Sequence, residues 1–199
     1  QRLYKAYSTV FANGSLASCA SFSAITFACH FSFIVVSPLI FMDQLQLSPH
    51  EYSLTVLLYG AACVMGGICA GFLHKRLPAP AQMAIGLVLI AISGGVMLFL
   101  AYQFGLSIPT VLVPMLLCTA GTTITRPISN SKAMSLFPDN AGTAASAVAA
   151  VLFIAGGLIS AFISTFTHHL STALGLCFLI LSIVALVLNA WARRHPHVP

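Results

Sequence analysis

His30 is the one histidine in the middle of a long apolar run, roughly residues 16–41. Imidazole is the group that titrates near neutral pH without perturbation, so two chemistries suit it: contact with a solute, or a secondary proton site. A neutral histidine bonded to a serine or threonine of an adjacent helix is the alternative, and both readings stay open. Ser23, Thr26, His30, Phe33 and Ser37 follow one another at intervals of 3, 4, 3 and 4. At 3.6 residues per turn they share one helix face. A second set, Thr119, Thr122, Arg126 and Asn130, is spaced 3, 4 and 4 and shares a face if its helix continues past Pro127. Arg126 suits a gate or an anion contact; its alternative is to snorkel toward a charged surface. Phe31 and Phe33 would suit an aromatic wall for lipophilic cations, or simple packing.

Other reactive groups do not assemble into a site. Asp43 and Glu51 fall in one loop and Asp139 in another, so none is expected deep in an apolar segment. His168 and His169 adjoin but lack further ligands. The six cysteines lie in or beside apolar runs without a C-x-x-C pair, which reads as small apolar packing. No catalytic set, metal site or cofactor is expected.

The elements that must position these residues follow from composition. The chain has 199 residues, 59% hydrophobic and 6% charged, with a mean hydropathy of +0.99. Soluble domains carry about 25% charged residues, so a soluble enzyme and a nucleic-acid binder are both excluded. Six apolar stretches, roughly 16–41, 53–73, 82–102, 108–125, 142–167 and 171–191, each approach the ~20 residues a membrane helix needs. Helices satisfy their own backbone hydrogen bonds in lipid, and the uninterrupted apolar runs lack the alternation of a membrane barrel. The fold expected is all-α, with the lipid bilayer as its solvent.

All eight basic residues fall on one side of those spans: Arg2 and Lys5, Lys75 and Arg76, Arg126 and Lys132, Arg193 and Arg194. The positive-inside rule then puts both termini in the cytoplasm. The net charge of +5 suits anionic headgroups and needs no nucleic acid.

Roles repeat between the two halves. Helices one and four carry the polar stripes, which should face a neighbouring helix or a wet cavity. Helices two and five are rich in small residues: Gly67 and Gly71 in one, Gly156 and Gly157 in the other. Such faces allow close approach of backbones. Helices three and six are bland and look lipid-facing. Three spans per triplet imply that the second triplet enters from the opposite side, a 3+3 inverted repeat.

Three stretches carry a family likeness: Val36-Ser37-Pro38-Leu39-Ile40 with Leu47-Ser48 and Tyr52; Gly71-Phe72-Leu73-His74-Lys75-Arg76; and Pro127 to Ala147, with Phe137-Pro138 and Ala141-Gly142-Thr143-Ala144. They resemble the C-terminal half of a major facilitator superfamily transporter, closest to the Bcr/CflA and EmrD-type drug/proton antiporters. The resemblance implies multidrug efflux by alternating access in the bacterial inner membrane. It makes helices one and four cavity-lining, with helices two and five at the boundary between halves. The residues it puts on the cavity wall are Thr26, His30, Phe33, Ser37, Thr119, Thr122 and Asn130; Arg126, Gly67, Gly71, Gly156 and Gly157 would serve gating or the interface. Lys75 departs from the aspartate usual at that turn. The family has twelve helices, so the proton-coupling acid would belong to an N-terminal half not represented in these residues.

Other six-span classes lack their signatures. Ala91-Ile92-Ser93-Gly94 is short of the first glycine of a rhomboid-type protease, there is no Asn-Pro of an aquaporin, and no proline begins a mitochondrial-carrier motif. Expected partners are a small lipophilic substrate and an N-terminal six-helix half. The alternatives are a second copy closing the cavity as a homodimer, or a truncated, non-transporting membrane protein.

Overall fold

The computed structural model describes residues 14–135, 141–167 and 169–194. Arg2, Lys5, Phe137, Pro138, Asp139 and His168, all invoked above, lie outside the described residues, as do the side chains of Lys132, Arg193 and Arg194. The described residues form helices α1 (Gly14–Pro38), α2 (Pro49–His74), α3 (Ala79–Phe104), α4 (Ile108–Ser135), α5 (Ala141–Ser164) and α6 (Leu170–Arg194), with a π-helical turn, Leu39–Gln44, extending α1. Six of these segments are long and apolar enough to cross a membrane. α4 passes through Pro127 without ending, so its two polar turns do lie on one continuous helix.

The α1–α2 junction follows from local chemistry. Pro38 has no N–H to offer the carbonyl of Ile34; the Ser37 hydroxyl donates to that carbonyl instead, at 3.2 Å. Beyond the proline the helix widens into the π turn, which buries Ile40 and Phe41. Ser48 then caps α2: its hydroxyl accepts from the Glu51 N–H at 3.3 Å, and the Glu51 carboxylate accepts from the Ser48 N–H at 2.9 Å. With Pro49 in the first turn this is a complete capping box. Glu51, expected in the loop, therefore belongs to the first turn of α2.

α1 and α4 are the most enclosed helices and α2 the least. α1 lies against α5, α4 and α6; α4 lies against α3, α1 and α2; α3 and α6 pack on each other. Exchanging the triplets turns the α1–α5 contact into α4–α2 and returns α3–α6 to itself, the pattern of a 3+3 inverted repeat.

The closest seams are not those expected. A Cβ on Gly94 of α3 would sit 2.7 Å from the Leu179 nitrogen and 2.8 Å from the Gly175 oxygen of α6. One on Gly121 of α4 would sit 2.8 Å from Ile90 of α3, and Gly86 and Gly66 likewise face Thr125 and Thr123 of α4. In hydrocarbon, where apolar burial gives helices no advantage over lipid, such close backbone approach is what holds them together. α3 and α6 thus have a tightly packed inner face, with Ile92, Phe99, Ile180 and Val184 exposed on the outside. Gly67, Gly71 and Gly157 have no atom of this bundle within 4 Å of an added Cβ, whereas Gly156 rests 3.0 Å from the Phe31 ring. Gln82, buried near the start of α3, ties that helix to α2 by donating to the Ala70 carbonyl at 3.2 Å.

Candidate functional site

Among the described residues, α1 makes polar contacts with other helices at positions 23, 30 and 37. Seven residues are close to two helical turns, so the contacts lie on one line about 10 Å apart. The Ser23 hydroxyl donates to the side-chain oxygen of Asn130 on α4 at 3.4 Å. The Tyr59 hydroxyl of α2 is hydrogen-bonded to the His30 imidazole, with the ring centroids 5.3 Å apart. The Tyr52 hydroxyl of α2 lies 2.9 Å from Ser37. Since the Ser37 proton is committed to Ile34, Tyr52 is the donor there.

Tyr52 and Tyr59 are themselves seven residues apart on a helix antiparallel to α1. Residue 37 therefore meets 52 and residue 30 meets 59. The two backbones make few close approaches; the long phenols reach across the gap. A cavity of about 130 Å³ lies between them, lined by Phe33, Ser37, Tyr52 and Tyr59 among others. Neither tyrosine contact was anticipated. The signal available was their seven-residue interval, repeating that of His30 and Ser37.

Arg126 projects from α4 toward α1. Its guanidinium carbon stands 5.1 Å from the centre of the Phe27 ring. The Phe27 ring stacks on Phe31 at 5.3 Å and meets Phe153 of α5 edge-on at 5.3 Å. Here a second cavity, about 180 Å³, opens between α1, α4 and α5, with Phe27, Arg126, Asn130, Val148 and Phe153 on its walls.

The remaining expected wall residues divide. Thr26, Thr119 and Thr122 are closed off inside the bundle. Their hydroxyls return to their own helices, donating to the carbonyls of Phe22 at 3.0 Å, Met115 at 2.9 Å and Cys118 at 2.8 Å. A threonine in a helix can satisfy its donor on the carbonyl one turn back, so a polar residue at helical spacing need not face water. Expected on a cavity wall, these three instead belong to the interior. Phe33 is also mostly buried, yet it borders the first cavity and lies 6.1 Å from the Tyr59 ring. His30, Arg126 and Asn130 are half-buried. The site brings together a fixed positive charge, an imidazole, two phenols, an amide and aromatic walls: groups that orient a solute by hydrogen bonds and charge.

Comparison with known proteins agrees with this architecture. An uncharacterized transporter of Rickettsia felis is 22% identical over 161 residues, covering 76% of this chain and 40% of that protein. Another, from Rickettsia bellii, is 24% identical over 163 residues, covering 77% and 40% respectively. The chain therefore spans about two fifths of the length of these curated relatives. Residues 2–161 match the profile of the Major Facilitator Superfamily. With that match running through four of the six membrane-length helices and into the fifth, the chain belongs to the Major Facilitator Superfamily.

Proposed function

We propose that this chain is the C-terminal half of a small-molecule exporter, a drug/proton antiporter of the Bcr/CflA and EmrD kind in the bacterial cytoplasmic membrane. Both termini are cytoplasmic in this reading, and the proton-coupling acid is in the complementary half. The observation that carries it is the line of polar contacts at Ser23, His30 and Ser37 with a cavity on either flank. Polar groups at membrane depth are costly unless they serve a pathway or pair with one another; here they pair beside two cavities, which supports a pathway. The open glycine faces at Gly67, Gly71 and Gly157 give the second six-helix half a seat. Rocking of the halves exposes the stripe to each side in turn.

The test is efflux. Cells deprived of their own exporters and expressing the intact protein should extrude members of a dye panel spanning cationic, neutral and anionic lipophiles. Extrusion should stop with a protonophore and slow in His30→Ala. Efflux no faster than in empty-vector cells across the whole panel would overturn the exporter reading. Efflux indifferent to the protonophore would overturn proton coupling.

A further inference from the structure

The 180 Å³ cavity between α1, α4 and α5 holds a charge that has no counter-charge among the described residues. The Arg126 guanidinium is half-buried beside it, and its Nε is enclosed without a hydrogen-bond partner. The carboxylates among the described residues are Asp43, at the end of the π turn, and Glu51, in the first turn of α2. Both belong to the opposite end of the bundle, because Arg126 is 18 residues beyond Ile108 on α4, about 27 Å along its axis. The Phe27 face offsets part of the cost of this cation, but it gives the buried Nε no hydrogen-bond acceptor. A guanidinium presents paired donors that match a carboxylate. The Asn130 amide stands beside it and is bonded to Ser23 through its oxygen, so its NH₂ is available to a second acceptor.

We propose that Arg126, with Asn130 and the Phe27 and Phe153 rings, forms a carboxylate-binding site, and that the carboxylate it takes is borne on a flat apolar group. The cavity is on the scale of the ~150 Å³ apolar cavities that accept one benzene ring. Two aromatic walls suit an arene, and the guanidinium and amide at one end suit its acid. This rests on the exporter reading for its role, and it narrows that reading to anionic aromatic solutes rather than lipophilic cations. A carboxylate side chain from the complementary half would satisfy the same donors.

The experiment is the thermal midpoint of the intact purified protein titrated with benzoate and, as the uncharged isostere, benzamide. Wild type should be stabilised by benzoate and not by benzamide, with affinity falling about 10- to 100-fold in Arg126→Gln. Arg126→Lys, which keeps the charge but loses the fork, should fall in between and guards against misfolding of the neutral variant. That pattern assigns the anion to a free solute. If benzoate has no effect but Arg126→Gln lowers the midpoint, and neutralising one acid of the complementary half restores it, the anion is that side chain and the aromatic solute is overturned. Any other result, including benzamide matching benzoate or an Arg126→Gln midpoint unchanged without benzoate binding, overturns the proposal. Binding is read at equilibrium, so a protein that binds benzoate but moves no solute would refute the exporter reading alone.

Discussion

Gly94→Ala tests the packing on which the bundle depends. The new methyl would lie 2.7 Å from the Leu179 nitrogen and 2.8 Å from the Gly175 oxygen, about 0.7–0.8 Å inside the shortest comfortable contact of ~3.5 Å. Both obstacles are backbone, so no side-chain rotation relieves them and α3 and α6 must part. Overpacking of this kind costs about 1–3 kcal/mol. For a domain near 200 residues each kcal/mol moves the midpoint by about 2–4 °C, so a fall of about 2–12 °C follows. Gly95→Ala is the control, because nothing lies within 4 Å of its added Cβ. Alanine also suits a helix better than glycine, so that variant should melt at or slightly above wild type. A thiol-reactive fluorophore reporting exposure of the buried Cys29 and Cys118 gives both midpoints in detergent. Coincident melting of the two variants would refute the α3–α6 seam.

Other consequences can be checked separately. Ser37→Ala strands the Ile34 carbonyl and the Tyr52 donor, at a cost of about 1–3 kcal/mol; Ser37→Thr keeps a hydroxyl and should recover most of it in the same melt, and equal losses would show the hydroxyl to be irrelevant. Tyr59→Phe removes the His30 contact for about 0.5–1.5 kcal/mol and should slow efflux more than it lowers the midpoint; an unchanged efflux rate would count against Tyr59 in the pathway. Gly67→Leu should impair association with the complementary half while membrane insertion is retained, since its face is open in this bundle. Gly66→Leu should destabilise the bundle itself, because that glycine faces Thr123; a stable Gly66→Leu protein would contradict the α2–α4 seam.

The architecture was legible because lipid simplifies the code. Long uncharged runs separated by Lys75-Arg76 or by the short turn near Gly105 leave little choice but membrane helices. The site was legible only in part. Periodicity identified the faces bearing His30 and Arg126, yet it did not separate them from Thr26, Thr119 and Thr122, whose hydroxyls are satisfied on their own backbones. That distinction depends on whether a neighbouring helix covers the residue. Small-residue spacing marked a face that is open in this bundle, at Gly67 and Gly71, but it did not mark the glycines that touch across its helices, such as Gly94 with Gly175 and Gly86 with Gly121. None of them belongs to a G-x-x-x-G pair. The contacts of Tyr52 and Tyr59 were not legible because each phenol reaches a partner on another helix, and only the matched seven-residue intervals hinted at the pairing.

The central claim is that the His30 edge of α1 borders water between two rocking halves while the threonines behind it stay dry. With the six native cysteines replaced in the intact protein, His30→Cys and Thr122→Cys would be challenged with a membrane-impermeant maleimide, with and without membrane energisation and a transported dye. The account predicts that position 30 is labelled, that the dye protects it, and that position 122 stays unmodified throughout. Position 30 remaining as unreactive as position 122 in every condition would contradict it.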